Sequence, residues 1–212
     1  MKKFFDFNSG ELAILNKLNT PQRIQAYLNK LPINFEDEGD TAMSPREVLK
    51  KRKAHCMEGA LLAATALWYH GQKPLLLDLV TTKNDDDHVV ALFKQNGYWG
   101  AISKTNHAVL RFREPVYKTV RELAMSFFHE YFKNSGQKTL RKYSAPFDLS
   151  KIKDRSWLVS GEDLWDINNA LDDYKHFSIL SSRQIKTLSK ADKIEIDAGK
   201  LLEWSPKSRN SK

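Results

Sequence analysis

The chain has 212 residues, 41% of them hydrophobic and 28% charged, a balance that excludes an intrinsically disordered protein and is enough for one domain with a full core. The formal net charge of +8 favours acidic partners, but the basic residues are scattered, with the densest runs at KKRK (50–53) and the closing PKSRNSK. We read this charge as a solvated surface: an acidic partner fits it, whereas no aromatic interleaving or nucleic-acid motif supports nucleic-acid binding.

In chain order, MKKFFDF opens like a secretory leader, but Asp6, Asn8 and Glu11 interrupt the apolar run before an h-region forms. No stretch approaches a transmembrane span, so a cytoplasmic chain without membrane contact is expected. TPQRIQAYLNKL predicts a helix capped by Thr20 and started by Pro21, with Ile24, Tyr27, Leu28 and Leu31 on one face. After an acidic loop, SPREVLKKR carries a capping box of Ser44 and Glu47. A further helix is expected from Cys56 to His70, stopped by Gly71. Its Cys56, Gly59, Ala60, Ala63 and Leu67 share one face, small enough to lie close against a sheet.

Three apolar runs then predict strands at 74–80, 88–93 and 98–103, the last two joined by the hairpin signal Asn96-Gly97. Residues 116–132 read as one long amphipathic helix and 160–174 as a capped helix. Short strands are expected at 177–180 and 193–196. The organisation expected is a single domain over 1–204, with a core at about 44–106, an extension at about 145–204 and a disordered tail at 205–212.

Cys56 is the only cysteine, which excludes an intrachain disulfide and a cysteine-rich zinc site and fits a reducing compartment. His55, Cys56, His88 and His107 have no ligand-pair spacing, so neither a metal nor another cofactor is expected, and NDDD at 84–87 lacks the glycine and distal glutamate of a calcium loop. Cys56 opens a helix directly after Lys51, Arg52 and Lys53, and both features favour a thiolate. The candidate proton acceptor is His88, at the start of the second strand. With a two-residue turn His88 faces Thr105, and with a four-residue loop it faces Ser103. Either register leaves Ser103 on the sheet face of His88, within reach of its ring. Asn106 is the second candidate to orient His88, and Asp78 on the adjoining strand a third. Read alone, His55 caps its helix locally or tunes the thiol, and Trp99 packs in the core or beside the site.

The ordered set SPREVLKKRKAHCMEGALLAA, PLLLDL, DDDHVVALF and WGAISKTNH resembles the transglutaminase-like superfamily, which shares its core with papain-like cysteine proteases, and is similar to an uncharacterised bacterial branch of it. The resemblance implies an α+β fold: a transglutaminase-like/papain-like core in which the cysteine helix packs on a small antiparallel sheet, with extra N- and C-terminal helices. It implies Cys56 as nucleophile, His88 as general base, Trp99 near the substrate, and a peptide, protein or small amide as substrate. The family's GxWxxxD would end in aspartate, whereas GYWGAIS ends at Ser103. Two functions are therefore expected: a cysteine hydrolase or acyl transferase on amide or ester bonds, or a non-catalytic binding module on the same fold.

Overall fold

A computed structural model describes residues 3–37 and 39–205. It is an α+β arrangement around an antiparallel sheet. Four helices come first: α1 (Ser9–Lys17), α2 (Pro21–Asn29), α3 (Pro45–Lys51) and α4 (Cys56–Tyr69). The expected N-caps form, with Thr20 accepting from the Arg23 N–H and Ser44 from the Glu47 N–H, but the box expected at α3 is only half made: the Glu47 carboxylate pairs with Lys50 and Lys51 instead of the Ser44 N–H. Strands β1 (Leu75–Val80), β2 (His88–Gln95), β3 (Tyr98–Ile102) and β4 (Arg113–Tyr117) follow. Then come α5 (Val120–Ser126), β5 (Lys142–Ser144), β6 (Phe147–Asp148), α6 (Trp165–Asp172), β7 (His176–Ser178), α7 (Ser182–Lys186) and α8 (Lys193–Gly199). The strand order is β4-β3-β2-β1-β5-β7, with β6 also paired to β1.

The β2–β3 turn fixes the register that matters for the site. Gln95 pairs with Tyr98, so the turn has two residues, Asn96 and Gly97, both at positive φ as a type I′ hairpin requires. Side-chain alternation then divides the sheet. Val89, Ala91, Phe93, Leu76 and Ile102 pack with α4, while Val90, Leu92, Leu77, Leu79 and Ala101 pack with α5 and the 127–131 segment. Each fully buried Leu of these layers contributes about 1.5–3 kcal/mol over an exposed one. Helix α4 is buried almost all round, which explains its small residues. A Cβ on Gly59 would lie 2.5 Å from the Lys104 Cβ, so only glycine allows that approach.

Three sequence expectations change. Residues 116–132 do not form one helix: β4 takes Arg113–Tyr117, and a capping box of Thr119 and Glu122 starts α5 afresh. The helix of 160–174 begins only at Trp165; upstream, Asp163 and Leu164 are tied to the backbone of Ala42. KIEI at 193–196 is helical in α8, because Asp192 and Glu195 form a capping box there. The strand expected at 177–180 forms as β7, shifted to 176–178, with Ile179 and Leu180 beyond its end. Of the tail expected to be disordered, only Ser205 lies within the described residues. No helix among the described residues is long and apolar enough to cross a membrane.

Candidate active site

The cysteine is placed by a short link between two helices. Arg52 takes the left-handed conformation that ends α3, and Ala54 bridges Ile33 in parallel, holding the chain extended up to His55. His55 is the N-cap of α4. Its Nδ1 faces the Met57 N–H at 3.3 Å, and Glu58 reaches back to the His55 N–H at 2.9 Å. Cys56 is thus the first residue of the helix, half-buried, where the helix dipole favours negative charge and its own N–H has no partner within the helix.

His88 opens β2 and is buried. Its Nε2 lies 2.7 Å from Ser103 Oγ, on the sheet face that alternation predicts. The Ser103 hydroxyl also meets the Leu110 carbonyl at 2.5 Å. A carbonyl only accepts, so the hydroxyl proton points to Leu110 and the Ser103 oxygen accepts from His88 Nε2–H. That sets the tautomer and leaves Nδ1 as the basic nitrogen. Gln25 of α2 pins the Ser103 backbone, accepting from its N–H at 2.9 Å and donating to its carbonyl at 2.7 Å.

Cys56 and His88 line one cleft of about 970 Å³ together with His55. Burial pushes the Cys56 thiol up, but hydrogen bonds and positive charge from His55 and His88 outweigh it and bring the pKa down to about 5. For His55 burial acts downward, and the Cys56 thiolate, Glu58 and the Thr41 carbonyl raise it to about 9. Between those two values a thiolate and a cationic His55 coexist.

The other candidates are placed elsewhere. Asn106 lines the cleft, but its amide makes both its bonds to Trp204, at 2.8 and 2.9 Å, and none to His88. Asp78 pairs with Val89 and so faces away from His88; its carboxylate meets His176 Nε2 at 2.9 Å, and burial holds its pKa above the usual carboxylate range, at about 6. Trp99 sits at the far end of β3, packed under Lys94 at 5.2 Å, about 13 Å of strand from Ser103, and is not part of the cleft. Among the described residues no three His, Cys, Asp or Glu side chains cluster to hold a metal ion.

Further residues complete the cleft. Asp85 and Asp87 form one wall beside His88, and the C-terminal segment forms another with Ile196, Lys200 and Leu202. That segment is clasped to the 106–111 loop: His107 Nδ1 donates to the Gly199 carbonyl, Ala108 N–H to Leu201, Glu203 N–H to Asn106, and Arg111 pairs with Glu203. Lys104, buried, donates to the carbonyls of Leu28 and Leu31 at the end of α2, and burial lowers its pKa to about 8. Tyr131 also lines the cleft, with a buried hydroxyl that has no partner among the described residues. Local signals existed for Glu58, three residues after the cap, and for Asp85 and Asp87, directly before His88.

No protein-family model matches the chain, and no curated protein matches it in sequence.

Proposed function

We propose that this protein is a cysteine-dependent hydrolase or acyl transferase with a transglutaminase-like, papain-like core, acting on an amide or ester bond of a peptide, protein or small amide. The observation that carries the reading is the single cysteine at a helix start, in one cleft with a histidine whose Nε2–H is fixed by Ser103. In this reading the thiol proton passes to His88 Nδ1, and the Cys56 sulfur attacks the acyl carbon. The Cys56 N–H, free of intrahelical bonding, stabilises the oxyanion. Collapse expels the amine or alcohol, which takes the proton from the His88 imidazolium. Water or an amine then attacks the thioester, giving up its proton to His88, and the thiolate leaves.

The second reading, a non-catalytic module, is favoured by one feature: Ser103 is a neutral acceptor and cannot stabilise an imidazolium as a carboxylate does. A kinetic comparison separates the two. Wild type, Cys56→Ser and His88→Ala are assayed with p-nitrophenyl acetate and a peptide amide panel. Turnover that disappears in both variants supports the enzyme; equal background rates in all three leave only the binding module.

A further inference from the structure

The acidic partner that Ser103 does not give to His88 exists on the other side of the sulfur. Glu58 is fully buried in the first turn of α4. It collects neutral donors: the Asn34 amide at 3.2 Å, the Thr41 hydroxyl at 2.8 Å, and the N–H groups of Met43 at 3.2 Å and His55 at 2.9 Å. These satisfy its lone pairs but not its charge, and a buried carboxylate calls for a cation. Among the described residues the basic side chain paired with it is His55, with Nε2 3.4 Å from Glu58 Oε1.

The surroundings of that nitrogen point the same way. His55 Nε2 meets the Thr41 carbonyl at 3.0 Å and Glu36 Oε1 at 3.6 Å besides Glu58, so three acceptors converge on it. Nε2 therefore carries a hydrogen, and the ring gains or loses its second proton at Nδ1, the edge that faces the start of α4. A proton on Nδ1 gives up the bond from the Met57 N–H, and Cys56, the next residue and a lining residue of the same cleft, is the group there able to carry the compensating negative charge. Among the described residues, the other titratable groups lining the cleft are His88, Asp85, Asp86, Asp87 and Tyr131, with His107, Glu130 and the lysines Lys104, Lys133 and Lys200 along its walls.

We infer that Glu58 and His55 form a standing ion pair whose cation holds the thiolate charge at Cys56, so that the site carries its carboxylate behind the nucleophile instead of behind His88. This rests on the proposed function and deepens it. His55 transfers no proton in the cycle. It stabilises the sulfur anion before attack and again when the thioester breaks and the thiolate leaves, while His88 alone shuttles the proton. The raised His55 and lowered Cys56 values are those expected of such a pair.

The test reads the thiol of the full-length protein by the pH dependence of iodoacetamide alkylation, which is unambiguous with a single cysteine. His55→Asn removes the imidazole and keeps a strong N-cap, so folding is preserved; Glu58→Gln keeps the shape and removes the charge. His55→Asn should raise the thiol pKa by about 1–3 pH units, with Glu58→Gln shifting it the same way, and His88→Ala should leave it below the ordinary value of about 8.5. A thiol unchanged in His55→Asn but returned to the ordinary value by His88→Ala alone would overturn the inference, as would an ordinary thiol in wild type. Ester turnover, lost in Cys56→Ser or not, reports on the proposed function separately.

Discussion

Two histidines flank one sulfur, and their surroundings differ. At the start of α4, His55 has Glu36, Glu58 and a carbonyl around Nε2. At the start of β2, His88 has a neutral hydroxyl on Nε2, itself bonded to a carbonyl. The acidic surroundings suit a histidine that stays charged. The Ser103 contact instead fixes the ring of His88 and leaves its Nδ1 free toward the cleft. Under the proposed function, the contrast assigns charge stabilisation to the helix side and proton transfer to the sheet side.

The largest effect expected is from His88→Ala, which removes the base and should lower kcat/KM for a peptide amide by about 10²–10⁴-fold. Finding that His55→Asn costs as much and His88→Ala little would reverse the two roles. Ser103→Ala should cost about 10–100-fold, by freeing the His88 ring and its tautomer. Because Leu110 presents a carbonyl to position 103, Ser103→Asp places two acceptors together and should not rescue the rate, whereas Ser103→Asn, able to donate to Leu110 and accept from His88, should retain more of it. The pH profile sharpens the contrast further. Alkylation should rise with pH through about 5, where the thiol ionises, and change again near pH 9, where His55 loses its proton. Linkage has a matching sign: the lowered Cys56 pKa adds stability that is present above the unfolded thiol value and is lost as pH falls through about 5. The smallest effect is a stability change. Tyr131→Phe removes a buried hydroxyl without a partner among the described residues, so thermal melting should show a neutral or slightly more stable protein.

The parts of the site that follow local rules were legible. The Asn96-Gly97 turn and period-two alternation put Ser103 on the His88 face without any three-dimensional information, and the contact is 2.7 Å. The start of α4 at Cys56 follows from its composition and the loop before it. What stayed hidden depends on long-range approach. Gln25 reaches Ser103 across 78 positions, and Trp204 engages Asn106 across 98. No periodicity encodes either contact. His55 was readable as a local cap, but its second role needs Thr41 and Glu36 folded against it. KIEI misled because four alternating residues fit a strand and a helix turn equally, and the deciding feature was the Asp192 cap.

The most direct test of the central claim is intact-mass analysis after brief exposure to p-nitrophenyl acetate, with peptide mapping of the adduct. The account predicts a single acetyl group on Cys56, formed in a burst by wild type, formed more slowly by His88→Ala and absent in Cys56→Ser. No adduct on Cys56 in wild type, or one that forms equally fast without His88, would contradict it.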